Sequence, residues 1–210
     1  MRCNVCRTLS TELFSKVDNK IYWKCNTCLV IFLDHKYRLS KEEEKSRYEQ
    51  HQNNIYDRNY RLFLSKLFNP LRNNLRSDFR GLDFGCGPGP ALAEMFREEG
   101  FVVDIYDPFF FPIKSNLNKK YNFIACSEVV EHFFNPIKEF KLLDSVLQQD
   151  GLIGIMTSFL ESEDEFDHWY YRKDPTHVHF YQRYTFEVIA SRMGWSHQIV
   201  SNNIVLFKKS

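Results

Sequence analysis

Four cysteines open the chain as Cys3, Cys6, Cys25 and Cys28, a C-x2-C-x18-C-x2-C pattern. Two CxxC turns can each present two thiolates to one ion, and the spacing lies inside the window for a four-thiolate zinc site. So short a segment has too little apolar core to fold unaided, so structural Zn2+ would supply much of its folding free energy. A disulfide knot and a redox CxxC pair are the alternatives. The first conflicts with a reducing compartment, and the second leaves one pair unexplained. Cys86 and Cys126 fall in a glycine turn and a buried strand and read as packing residues.

The second constellation is RGLDFGCGPGP, Arg80 to Pro90. A buried strand runs into glycines at alternate positions, Gly85, Gly87 and Gly89, and the helical segment ALAEMFREEG follows at once. Glycine permits positive φ and lets a ligand approach main-chain atoms with no Cβ in the way. Strand, glycine turn and helix N-terminus together make the nucleotide-binding corner of a doubly wound α/β sheet. Pro90 stands where a dinucleotide fingerprint wants its third glycine. Asp83 precedes the turn, and FVVDIYDP places Asp107 at the end of the next strand, where a carboxylate can take both hydroxyls of a ribose. The set suits a nucleoside with an amino-acid tail better than a pyrophosphate. The third constellation is histidine-rich. His177 and His179 stand at i, i+2 in DPTHVHFY and would point the same way on an extended segment, as base and orienter or as a metal pair; the alternative is that one of them is a hydrogen-bonded packing residue.

LDFGCGPG, the Asp107 strand, YNFIACSEVVEHF (Tyr121 to Phe133) and LQQDGLIGIMTS (Leu147 to Ser158) together resemble class I S-adenosylmethionine (SAM)-dependent methyltransferases. The chain is most similar to a bacterial group of unassigned substrate that joins this domain to an N-terminal zinc ribbon. RYEQHQN, YRLFLSKLFNPL, YDPFFFP and WYYRKDPTHVHFY carry that likeness, which covers nearly the whole chain. The resemblance implies that Asp83, Gly85, Gly87 and Gly89 hold the methionine end of SAM and Asp107 its ribose. It also implies that Cys126, Ser127, Glu128 and Val129 line the transfer site, with His132 in the same stretch. His177 and His179 would lie over the methyl donor. Tyr48 and His51 on a capping helix, and more weakly Asn53, would reach the cleft. Phe109 and Phe110, just after Asp107, offer stacking faces for adenine by position.

These residues need elements to position them. Residues 1–36 read as the ribbon, with strands at IYWKC and LVIFL. Residues 37–78 read as a helical linker and cap: Ser40 is an N-cap signal before acids that favour the helix dipole. Tyr60, Phe63, Leu64, Leu67 and Phe68 then recur at helical spacing from about Asp57 to Leu71. Residues 79–210 read as the catalytic domain, with strands over 81–85, 101–106, 121–126, 151–157, 196–200 and 203–208 and helices over 89–99, 136–147 and 184–193. Residues 108–120 are too few for the usual helix and third strand, so that strand is short or missing. The acidic run ESEDEFD reads as a solvated lid or a helix start.

Lys and Arg total 28 against 27 Asp and Glu, a net charge of +1, so no bulk charge favours nucleic acid or a membrane surface. No apolar run nears the ~18 residues of a membrane span, and the N-terminus lacks a signal-peptide core, so cytoplasmic residence is the expectation. Three functions compete. The first is a methyltransferase acting on oxygen, nitrogen or carbon of a small molecule. The second is an RNA or protein methyltransferase whose ribbon, with Arg2, Arg7, Lys20 and Lys24, reads the polymer. The third is a non-enzymatic ribbon module with a relic cofactor domain, against which the intact ligand corner argues. The absence of Asn-Pro-Pro-Tyr after the SEVVEH strand disfavours adenine N6 methylation, and Cys126 lacks the proline context of a cytosine-C5 nucleophile.

Overall fold

The computed structural model describes residues 1–50 and 54–210. Its main sheet grows from apolar strands, β4 (Arg80–Phe84), β5 (Val102–Tyr106), β6 (Tyr121–Ser127) and β7 (Leu147–Met156); β4, β6 and the second half of β7 are largely buried, and β5 is half-buried. They pair in parallel, and the antiparallel hairpin of β9 (Trp195–Ser201) and β10 (Ile204–Lys209) closes the far edge, giving the order β5-β4-β6-β7-β10-β9. β5 is an edge strand. Past it lie only an Asp107–Phe111 bridge and a 3-10 turn over Lys114–Asn118, so the third strand is missing, as the residue count predicts. A parallel crossover needs about a dozen residues beyond the strand itself.

Helices cover both faces. α2 (Arg58–Arg72) and α3 (Ala91–Glu98) bury Leu64, Leu67, Leu71 and Phe96 against Phe123 and Leu206 on one side. α4 (Pro136–Val146) and α5 (Arg183–Met193) bury Phe140, Leu143, Phe186 and Ile189 on the other. α1 (Lys41–Tyr48) starts with a capping box between Ser40 and Glu43, and Asp57 caps α2 through the Tyr60 N–H.

The N-terminal part contains β1 (Thr11–Val17), β2 (Lys20–Cys25) and β3 (Ile31–Leu33). A two-residue turn, Asp18 and Asn19 at φ 50° and 58°, joins the first two, the geometry a tight hairpin needs. β1 was not evident in the sequence because almost none of it is buried. The sheet does not stop at the ribbon. β8 (His179–Phe180), far along the chain, pairs with β3 through Ile31↔Phe180 and Phe32↔His179. The segment leading into β8 is therefore clasped from the ribbon side. Lys24 pairs with Glu163 at 2.7 Å, the Ser15 hydroxyl donates to Asp167 at 2.6 Å, and Arg172 donates to Asp18 at 2.7 Å. Phe166 sits among Phe14, Tyr22 and Phe180 at 5.0–5.3 Å. The acidic run thus starts a short 3-10 turn, Glu163–Glu165, as one reading of it expected, and is a strap held on the ribbon rather than a free lid.

Candidate functional site

A cleft of ≈ 1030 Å3 opens at the carboxyl ends of β4, β5 and β6, where open α/β sheets bind ligands. Gly85–Pro88, Asp107–Phe110 and Ser127–Val129 form its floor; α1 and α2 form one wall and Tyr170–His177 the other.

Gly85 and Gly87 adopt φ 77° and 63°, and a Cβ on Gly85 would come within 2.5 Å of a Val129 methyl. Only glycine fits there. Asp107 organises the turn: Oδ2 accepts from the Gly87 N–H at 3.0 Å, and Oδ1 accepts from the N–H groups of Phe109 and Phe110 at 2.8 and 3.0 Å. Each carboxylate oxygen has two acceptor sites, so Oδ2 keeps one for a hydroxyl. Close main-chain approach, a carboxylate at the end of β5 and the faces of Phe109 and Phe110 fit the nucleoside and amino-acid parts of SAM.

Several sequence-based placements need correction. Asp83 does not line the cleft. It is the side chain of β4 that points toward α3, where it accepts from the Ala93 N–H at 3.1 Å, and burial pushes its pKa up to about 7. Gly89 is buried beneath the turn rather than at its surface. Cys126 alternates inward from Ser127 and lies wholly buried, its thiol pushed well above the ordinary value by burial. His179 is fully buried between Phe32 and Tyr181, ring centroids 5.9 and 6.4 Å away, and burial holds its pKa down at about 3. The i, i+2 argument fails because only His179 is in the strand; His177 precedes it in a turn closed by its N–H on Asp174 O. His51 and Asn53 lie outside the described residues.

Tyr48, Phe109, Ser127, Glu128, His132 and His177 do line the cleft. Tyr48 packs between Phe109 and His132 at 5.5 and 5.4 Å and donates its hydroxyl to Glu44 at 2.8 Å. Burial and Glu44 push the Tyr48 phenol well above its usual range. Glu128 takes the left-handed φ of 53°, rare for a residue with a Cβ, and burial beside Glu131 raises its pKa to about 9. His177 donates Nδ1–H to the Tyr171 carbonyl at 2.7 Å, its pKa lowered to about 4 by burial and by His132.

Beneath them lies a network that sequence reasoning missed. Glu131, wholly buried, accepts from Tyr171 OH at 2.5 Å and from Thr157 Oγ1 at 2.9 Å. Glu131 is adjacent to His132 in SEVVEHF, which was a usable signal. Thr157 and Tyr171 carried none, since their partners are 26 and 40 residues away.

The four cysteines meet with their sulfurs within 4.8 Å of one another, Cys3–Cys28 at 3.6 Å and Cys6–Cys25 at 3.4 Å. Tetrahedral Zn–S bonds of about 2.3 Å would place sulfurs about 3.8 Å apart. The two CxxC turns match. Arg7 and Leu29, each just after its second cysteine, take φ 64° and 62° and donate N–H to Cys3 O and Cys25 O. The N–H groups of Val5 and Cys6 donate to Cys3 Sγ at 3.4 Å, as thiolate ligands require. The donor set fits zinc.

A comparison with curated proteins returns no match. Among solved structures, a 1,6-didemethyltoxoflavin-N1-methyltransferase from Burkholderia thailandensis, holding its substrate and S-adenosylhomocysteine (SAH), aligns at TM-score 0.56 and 10% identity over 95% of this chain and 99% of that one. An O-methyltransferase family protein from the same organism aligns at 0.50 and 9% over 79% and 62%. CalO1, a methyltransferase of calicheamicin biosynthesis solved with SAH, aligns at 0.50 and 10% over 71% of this chain, which spans about half, 54%, of CalO1. At such identities the likeness shows a shared fold. Residues 56–198, more than half of the chain, match the methyltransferase domain family, and the chain therefore belongs to the class I SAM-dependent methyltransferases.

Proposed function

We propose that this enzyme methylates a small molecule held in the cleft between the glycine turn and the strap at Tyr170–His177, and that its ribbon is a structural zinc site. The single observation that carries the acceptor class is the cleft, ≈ 1030 Å3 and walled on two sides by the helical cap and the strap. That is at the upper end of ordinary ligand pockets, roughly 300–1,000 Å3, and leaves room for an acceptor beside a cofactor. Two of the structural neighbours act on small molecules by their titles, which favours the same class here.

Gly85, Gly87 and Asp107 would hold the cofactor, with Phe109 against its base. When bound there, SAM supplies a methyl carbon already activated by its sulfonium. The chain's own contribution is alignment and exclusion of water, worth up to roughly 7–11 kcal/mol when the reacting atoms are held near attack. Tyr48 and His132 on the cap side and His177 on the strap would orient the acceptor. His177, neutral at pH 7 with Nδ1–H committed to Tyr171 O, keeps the lone pair of Nε2 free on the strap side of the cleft.

The polymer-substrate alternative loses part of its support, because Lys24 of the ribbon is already paired with Glu163. No helix among the described residues is long and apolar enough to cross a membrane. Transfer of labelled methyl from SAM into size-fractionated cell extract tests the proposal. Label is expected in the small-metabolite fraction; label confined to RNA or protein would overturn it.

A further inference from the structure

Glu131, His132 and His177 bring one ligand-capable atom each to within 4.8 Å of the others, at the edge of the cleft and far from the cysteines in the chain. Glu131 and His132 come from the 3-10 turn Val130–His132 after β6, and His177 comes from the strap. We propose that these three residues form a second metal centre, one that binds an exchangeable divalent cation.

Both imidazoles are fixed through Nδ1, His132 on Thr176 O at 3.1 Å and His177 on Tyr171 O at 2.7 Å. This is the arrangement by which ligating histidines are oriented, with the other ring nitrogen left for the metal. The rings stand 4.8 Å apart, centroid to centroid. Glu131 is fixed as well, by Tyr171 OH on Oε1 and Thr157 Oγ1 on Oε2, and each oxygen keeps a free lone pair. Its Oε1 lies 3.9 Å from His132 Nε2.

Donors about 2.1 Å from an octahedral cation stand about 3.0 Å apart when adjacent and about 4.2 Å when opposite. The 3.9 Å separation falls in that range, and no two of the three donors stand more than 4.8 Å apart, so the set closes on one ion with side-chain shifts of about 1 Å or less. Charge points the same way. Glu131 is wholly buried, and among the described residues no lysine or arginine lies within 4.0 Å of its carboxylate; the one basic side chain that does is His132, at 3.9 Å. A buried carboxylate without a compensating cation is costly. Glu128 lines the same part of the cleft and adds a second carboxylate.

Three protein donors fall short of the roughly six that Mg2+ or Mn2+ takes. The open positions face the cleft, because His132 and His177 line it. The ligands that complete the shell are water or acceptor oxygens. Resting on the proposed function, this narrows the acceptor to a molecule with two neighbouring oxygens, such as a vicinal diol or a hydroxy acid.

Mn2+ titration of the zinc-loaded full chain, followed by electron paramagnetic resonance with and without SAH, tests the site. One Mn2+ per chain is expected below about 1 mM, the weak end of protein divalent-cation sites. Glu131→Gln and, separately, His177→Gln are expected to weaken Mn2+ at least about tenfold while SAH affinity and zinc content hold, which also shows that the variants fold. His132→Gln, partly exposed, gives a third variant that perturbs packing least. No Mn2+ binding at about 1 mM by a chain that binds SAH would overturn the centre and leave the proposed function standing. Mn2+ binding that survives all three substitutions would overturn it too. Metal binding alongside methyl label confined to polymers would instead overturn the small-molecule reading alone.

Discussion

At Gly85 a single methyl group separates a working corner from a blocked one. Alanine there would need φ 77° and would drive its Cβ into Val129. Gly85→Ala is expected to weaken SAH by more than about tenfold in titration calorimetry, with the zinc content unchanged. Two aspartates near that turn have different jobs. Asp107 folds the loop and faces the cleft, while Asp83 is sealed under α3. Asp107→Ala is expected to cost about tenfold or more in SAH affinity, whereas Asp83→Asn should stay within about threefold. Asp83 should instead report on pH. Its folded pKa of about 7 lies above the ordinary 3.8, so its contribution is full below about pH 4 and is lost as pH rises through 7. Denaturant unfolding should show Asp83→Asn gaining on the parent between pH 5 and pH 8, by something on the order of 3 kcal/mol. An unchanged difference across that range would mean that Asp83 is ionised throughout.

Among the elements, the strap from Glu161 to His177 walls the side of the cleft proposed for the acceptor, and Arg172 is its rivet. That guanidinium is buried and donates to Asp18 across the ribbon hairpin, to Asp167 O and to Phe166 O. Arg172→Met would leave the buried Phe166 carbonyl and the half-buried Asp167 carbonyl short of a donor, at a cost of about 1–3 kcal/mol. Hydrogen exchange should rise across residues 161–178, and methyl transfer should fall, while SAH affinity stays near the parent's because the glycine turn belongs to the floor of the cleft and not to the strap. Faster exchange at the glycine turn as well would argue against so local an effect. α1 reaches the same strap from the other side through Arg47 and Asp174 at 3.1 Å, so cap and ribbon grip one segment between them.

Over the whole molecule the ribbon and the catalytic sheet share one interior. Cys3, Cys6, Cys25, Cys28, Val30 and Phe32 belong to the same buried cluster as Tyr121, Phe140 and Tyr181, and β3–β8 pairing stitches the two parts together. Removing the zinc proposed for the four-cysteine cluster with a chelator, or substituting Cys25→Ser, is therefore expected to lower the melting temperature of the entire chain in one transition. Two resolved transitions would show that the ribbon melts alone. The cysteine spacing, the glycine turn, Asp107 and the missing third strand were all legible in the residues, because each depends on neighbours close in the chain or on a simple count. The period-3.6 apolar face of α2 was legible for the same reason. The positions of Asp83 and His179 were not: Asp83 sits beside cleft-facing Phe84 and strand alternation turned it inward, while His179 is buried by the pairing of β8 with β3. The Glu131–Thr157–Tyr171 network and the clasp of the ribbon on the strap join residues 14 to 154 positions apart. No local pattern encodes such contacts. Spacing and turn chemistry thus determined that this chain has a SAM corner and a four-cysteine cluster, because those are properties of short segments. Which histidine reaches the cleft, and what stands behind it, was decided only by folding, because burial and partnership are set where distant segments pack.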